Sequence, residues 1–173
     1  AVLRGLSVTE GVPGRFQAVR AGQPFSVVVD YSHTPDSLEN ALKAARAVTE
    51  GRVLLVFGCG GDRDRGKRPL MGEIGARLAD RAVITSDNPR TEDPDAIVAE
   101  VAAGVPADLG EKVVVEVDRR AAIRLALGEA RDGDTVVIAG KGHEQGQLIG
   151  GRRIPFDDRS VAEEEIAALR EGR

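Results

Sequence analysis

Tryptophan is absent from this chain, tyrosine occurs once and phenylalanine four times, so aromatic residues make up only 3% of it. Proteins that bind single-stranded nucleic acid stack bases on aromatic faces along a positive groove. This chain has few such faces, and its 24 Lys and Arg against 28 Asp and Glu leave a net charge of −4. A nucleic-acid partner is therefore not expected. Cys59 is the single cysteine, which excludes an internal disulfide. It reads as a small buried hydrophobe or turn residue, because thiol chemistry needs a partner base and none stands near it in sequence. Long apolar runs are missing too. None approaches the roughly 20 residues of a membrane span, and the start carries no signal-peptide pattern, so the expectation is a cytoplasmic protein without a membrane partner.

What is present suffices for one core: 173 residues, 42% of them hydrophobic and 30% charged. Short β-branched runs alternate with helical periodicity, the pattern of a mostly parallel α/β sheet flanked by helices. Strands are expected over Val27–Val29, Val53–Phe57, Ala82–Thr85, Val113–Val117 and Thr135–Ala139. Amphipathic helices are expected over Asp36–Thr49, Leu70–Ala79, Pro94–Ala103, Arg119–Ala130 and Asp158–Leu169. Pro35-Asp36, Asp93-Pro94 and Asp118 mark helix starts. Gly150-Gly151 between Gln147-Leu148-Ile149 and Arg152-Arg153-Ile154 predicts a hairpin before the last helix. No internal linker divides the chain. It opens on Ala1, and residues 1–11 read as the end of a preceding domain or a linker, with one domain over 12–173.

Four polar motifs each follow a predicted strand, and parallel βαβ connections place strand carboxyl ends on one rim, where ligands gather. They are Asp30-Tyr31-Ser32-His33-Thr34-Pro35, Gly58-Cys59-Gly60-Gly61-Asp62-Arg63-Asp64, Ser86-Asp87-Asn88-Pro89-Arg90 and Gly140-Lys141-Gly142-His143-Glu144. The third combines carboxylate, amide and guanidinium beside a proline, a suitable grip for a zwitterion. Gly61 to Lys67 matches the first seven positions of a phosphate-binding P-loop, but Arg68 stands where magnesium coordination needs Ser or Thr, so the P-loop is rejected. A dinucleotide fingerprint fails as well, since Arg63 occupies a required glycine position. What remains is a flexible glycine turn carrying Arg63, Arg65, Lys67 and Arg68, oriented by Asp62 and Asp64; it is either a solvated charged loop or an anion site. Glu144 can accept protons from an ammonium group. His143 beside Glu144 is too little for a metal site or a catalytic pair. His33, directly beyond a strand, either serves a site or caps the next helix.

The four motifs, in this order and over nearly the whole chain from Val12-Pro13-Gly14-Arg15-Phe16 onward, resemble the carboxy-terminal domain of the ATP-dependent Mur ligases. The resemblance implies a Rossmann-like domain with a carboxy-terminal hairpin and helix, third of three in a ligase of peptidoglycan synthesis. In such a ligase ATP phosphorylates a precursor carboxylate, and the amine of an incoming amino acid attacks the acyl phosphate. ATP and magnesium would be bound mainly by the central domain, and the uridine nucleotide by the amino-terminal domain; both are this domain's expected partners, and no catalytic or metal-binding residue is expected here. The resemblance assigns Arg15, Asp30 and His33 to ATP: Arg15 to its phosphates, Asp30 to the nucleoside, His33 to the adenine. It assigns Arg63, Asp87, Asn88, Pro89, Arg90, Gly140 and Glu144 to the amino acid. Relatives that add L-lysine lack the arginine of the Asp87 turn, so Arg90 points to meso-diaminopimelate, added to UDP-N-acetylmuramoyl-L-alanyl-D-glutamate. Other types carry a histidine at the position of Gly14, and no role is transferred to it.

Three alternatives remain at this level. A stand-alone amino-acid-binding module would share the pocket. A nucleotide-dependent oxidoreductase needs the missing dinucleotide loop. A folylpolyglutamate synthase relative shares the Asp-x-x-His-x-Pro turn, but the Asp87 to Arg90 turn speaks against it.

Overall fold

The structure, a computed structural model, describes residues 12–172; the expected end of a preceding domain, at 1–11, lies outside the described residues. Its six-stranded sheet has the order β1-β2-β6-β3-β4-β5. The strands are β1 (Gln17–Ala18), β2 (Ser26–Asp30), β3 (Val53–Phe57), β4 (Arg81–Ile84), β5 (Val113–Val115) and β6 (Thr135–Ala139). All pairs are parallel except β1 against β2. Every residue of β3 and β6 is buried, as unbroken apolar runs require when helices cover both faces. A second, antiparallel ribbon of β7 (Gln147–Ile149) and β8 (Arg152–Ile154) is the expected hairpin. No helix among the described residues is long and apolar enough to cross a membrane.

Three helices, α1 (Pro35–Val48), α2 (Lys67–Leu78) and α3 (Pro94–Ala102), cover one face, and α4 (Arg119–Glu129) and α5 (Asp158–Glu171) the other. Strand pleating sorts β3 between the two cores: Val53, Leu55 and Phe57 pack with Leu38, Leu42, Met71 and Ile97, whereas Leu54 and Val56 pack with Ile123, Leu127 and Ile166. Each fully buried aliphatic side chain contributes about 1.5–3 kcal/mol. Four helices begin at side-chain caps, Thr34, Asp93, Asp118 and Asp157, each satisfying an orphan amide of the first turn. Thr34 forms a capping box with Ser37, so His33 is not the cap of α1.

The expected and observed elements differ at their edges. Helix α2 starts three residues before its expected first residue, at Lys67, because Pro69 sits in its first turn, where a missing N–H breaks no helical bond. Strand β5 ends at Val115, two residues short, and β1 and a 3₁₀ turn over Ala107–Lys112 are additions that no periodicity marked. Because β6 lies between β2 and β3, and β4 beside β3, the loops after β2, β6, β3 and β4 stand next to one another on the carboxyl rim.

Candidate functional site

Two of these loops are locked together by the absence of side chains. A Cβ on Gly58 would lie 2.2 Å from the carbonyl oxygen of Thr85, and one on Gly61 would lie 1.9 Å from that of Pro89. Only glycine permits such backbone contact, and Gly61 N donates to Asn88 O at 2.8 Å. The loop read as a flexible turn is thus a close-packed partner of the Ser86 to Arg90 turn. Its charges are also differently employed than expected. Arg68, 0% exposed, donates to both oxygens of Glu92 at 2.8 and 2.9 Å and to Glu100 at 2.8 Å. Arg65 pairs with Glu100, and Lys67 donates to the His33 carbonyl at 2.6 Å. The Asp62 carboxylate does not orient an arginine: it accepts from the Thr91 amide and hydroxyl. Asp64 accepts from Gly66 N. Arg63 and Arg65 are both exposed, and the Arg63 guanidinium donates to the Asp62 carbonyl at 3.0 Å. Arg68 and the Asp62 amide hold the Glu92 carboxyl down to about 2.

The Ser86 to Arg90 turn is braced from its other side by the hairpin. Arg90 takes a left-handed backbone, φ 55°, and this aims its N–H at Leu148 O (2.8 Å) and its carbonyl at Gly150 N (2.7 Å). Its half-buried guanidinium donates to Gly61 O at 2.7 Å and to Asn88 O at 3.4 Å. Pro89 places its carbonyl against Gly61 and under Glu92 N.

Asp87 and Asn88 face the loop after β6. Asn88 donates to Glu144 Oε2 at 2.7 Å, while its Oδ1 accepts from Leu148 N at 2.9 Å and from Lys141 Nζ at 3.1 Å. Lys141 is 0% exposed, and the sequence reading gave it no role. Its ammonium also reaches Glu144 Oε2 at 3.4 Å and Asp87 Oδ1 at 3.5 Å. Gly140, φ 118°, leaves the space that Asp87 fills, since a Cβ there would stand 2.9 Å from Asp87 Oδ2. Beneath them Arg119 and Asp158 form a fully buried bidentate pair. Arg119 further donates to Ala139 O at 3.0 Å and Ser86 O at 3.3 Å, tying the bases of both loops. Burial pushes the Asp87 carboxyl up, against the pull of Arg119 and Lys141.

A second cluster forms at the end of β2. Tyr31 has the Arg15 guanidinium 5.2 Å from its ring centre, His33 at 4.7 Å and His143 at 5.5 Å. Asp30 organises it, accepting from Phe16 N at 2.7 Å, from Ser32 N at 2.9 Å and from the Ser32 hydroxyl. Gly14 has a steric reason: a Cβ there would stand 2.3 Å from His143 N. Cys59 is buried against Met71, and burial pushes its thiol up to about 11, in keeping with the inert reading. Asp87, Asn88, Pro89, Arg90, Gly140 and Glu144 therefore share one neighbourhood, while Arg15, Asp30 and His33 share another joined to it through His143. Arg63 borders the first through the Gly58 to Gly61 loop. Among the described residues no group of three or more His, Cys, Asp or Glu is placed to hold a metal.

Comparison with known proteins matches residues 14–142 to the family described as Mur ligase, glutamate ligase domain. The UDP-N-acetylmuramoyl-L-alanyl-D-glutamate--2,6-diaminopimelate ligase of Synechococcus elongatus is 62% identical over 154 residues, covering 88% of this chain and 30% of the relative. The protein of the same name from Syntrophomonas wolfei is 57% identical over 159 residues, 92% of this chain and 32% of the relative. A solved structure of a ligase of that name superposes with TM-score 0.86 at 46% identity, covering 94% of this chain and 33% of the other. The chain thus spans about a third of the length of the relatives it matches.

Proposed function

This chain belongs to the Mur ligase family through its glutamate ligase domain, and from that premise we propose that it is the amino-acid-binding, closing domain of an ATP-dependent ligase that adds meso-diaminopimelate to UDP-N-acetylmuramoyl-L-alanyl-D-glutamate. The observation that carries this reading is the Asp87, Asn88, Lys141 and Glu144 cluster beside the half-buried Arg90. Diaminopimelate has two ammonium and two carboxylate groups, so its site needs separated acceptors and cations. Asp87 and Glu144 supply acceptors, Arg90 and Arg63 the forked donors suited to carboxylates. Asn88, with Oδ1 already taken by two donors, keeps one amide proton for the ligand.

The chemistry follows from placement. Holding the amine over an acyl phosphate and excluding water supplies proximity and suppresses hydrolysis, which is the gain from a domain that closes. The Tyr31 cluster, with Arg15 and His33 above the Asp30-organised loop, suits the nucleotide side of that closure. Its cation and aromatic faces fit a phosphate and a base. ATP supplies the phosphoryl group that activates the precursor. In this reading magnesium is held mainly by the central domain of the full-length ligase.

Full-length ligase supplied with ATP, the UDP-linked dipeptide and either meso-diaminopimelate or L-lysine tests the reading. The expected product contains diaminopimelate, and a clear preference for lysine would overturn it. The 173-residue chain alone should give no ligation, and turnover that tracks it through purification would contradict the division of labour.

A further inference from the structure

Lysine is almost never fully buried unless its charge is matched, because stripping an ammonium of water costs several kcal/mol before partners are counted. Lys141 is 0% exposed. It meets Asn88 Oδ1 at 3.1 Å, Glu144 Oε2 at 3.4 Å and Asp87 Oδ1 at 3.5 Å. An ammonium has three protons, so these acceptors use them all and Lys141 presents nothing to a ligand. Each of its partners belongs to the amino-acid site proposed above. The flanking glycines turn it inward: Gly140 and Gly142 adopt φ of 118° and 56°.

Charge balance adds the second half of the argument. Asp87 and Glu144 bring two negative charges and Lys141 one positive. The other charges acting on Asp87 are Arg119 from α4 and Asp158 from α5, which pair with each other at 2.7 Å. The cluster is left one positive charge short. Without the ammonium, buried Asp87 would lose its lysine partner, and Asn88 and Glu144 would lose the donor they share. With it, the three side chains are held by one donor, and in formal charge the two carboxylates outnumber the one ammonium, leaving room for one further cation.

We propose that Lys141 is the positioning residue of the ammonium-binding half of the site, fixing Asp87, Asn88 and Glu144 so that a single substrate ammonium completes their charge. This rests on the functional reading above and deepens it. Lys141 does not touch the substrate.

The test uses the full-length ligase carrying Lys141→Met, which keeps chain length and removes charge, and Lys141→Arg, which keeps charge. Steady-state constants for each of the three substrates are measured beside melting curves. Lys141→Met is expected to raise the KM for diaminopimelate at least tenfold while those for ATP and the UDP-linked dipeptide stay within twofold, and Lys141→Arg is expected to recover part of that loss. A folded Lys141→Met enzyme whose diaminopimelate KM is unchanged overturns the proposal, and so does a parallel rise in all three constants. If Lys141→Met does not fold, Lys141→Gln, which also removes the charge, takes its place: a rise confined to diaminopimelate supports the role, and an unchanged or general response removes it. Failure of the wild-type ligase to use diaminopimelate would instead overturn the functional reading on which the proposal stands.

Discussion

Replacing Arg90 separates recognition from scaffolding, because the structure gives its guanidinium a scaffolding duty of known size. It donates to Gly61 O at 2.7 Å, a charged hydrogen bond of the kind worth about 1.5–3 kcal/mol. For a domain of this size that is roughly 3 to 12 °C in melting temperature. Its backbone stands at φ 55°, where an ordinary side chain costs about 1–2 kcal/mol and Asn is tolerated. Arg90→Asn therefore removes the guanidinium without adding backbone strain, and it is a cleaner probe than Arg90→Ala. If the guanidinium also pairs with the distal carboxylate of diaminopimelate, its loss should cost on the order of 2–5 kcal/mol for that substrate, about 30- to 4,000-fold in kcat/KM. L-Lysine, lacking the carboxylate, should lose far less. The assay is kcat/KM for both amino acids with full-length Arg90→Asn, beside a melting curve. A collapse of the diaminopimelate-to-lysine ratio is expected. Equal loss for both substrates, with a melting temperature lowered by the scaffold amount, would show that Arg90 only braces the Gly61 loop.

Other consequences can be checked on stability and reactivity. The Glu92 carboxyl is held down to about 2 by Arg68 and the Asp62 amide, and a depressed carboxylate stabilises the fold above its unfolded value and loses that contribution as pH falls. The wild-type melting temperature should therefore drop between about pH 4.5 and pH 2, and Glu92→Gln should be less stable at neutral pH yet flatter across that window; parallel curves would deny the pair its role. Gly61→Ala, whose Cβ would stand 1.9 Å from Pro89 O, should destabilise by about 3 kcal/mol, whereas Gly110→Ala, with nothing within 4 Å, should be neutral or stabilising by up to about 1 kcal/mol in denaturant titrations. Cys59, buried with its thiol raised to about 11, should resist a disulfide reagent at pH 8 until the protein is unfolded; rapid native labelling would refute the buried placement.

Strand periodicity carried most of the architecture. Val53–Phe57 and Thr135–Ala139 are read at their observed bounds because a strand buried on both faces is apolar at every position, and that signal needs no tertiary context. Gln17–Ala18 is legible in nothing local: two residues become a strand only because β2 offers an open edge. Lys67 to Pro69 belong to a helix although their charges mimic a phosphate loop, since what decides is the buried pairing of Arg68 with Glu92 and Glu100, partners 24 and 32 residues away.

The site divides along the same line. Asp87, Asn88, Arg90 and Glu144 stand out in sequence because polar residues after a buried strand have one rim to occupy, and strand order then brings their loops together. The glycines between Gly58 and Gly61 carry a different message from the one their composition gives, rigidity by contact rather than freedom, and only the facing carbonyls of Thr85 and Pro89 reveal it. Lys141 is the strongest case. In sequence a lysine between two glycines is an exposed cation, and its inward turn depends on Asp87, 54 positions earlier. A buried cation is stable only where opposing charge has already been assembled, so Lys141 could be assigned only once its acceptors were located, and its ammonium is the one donor among the described residues that reaches Asp87, Asn88 and Glu144 together.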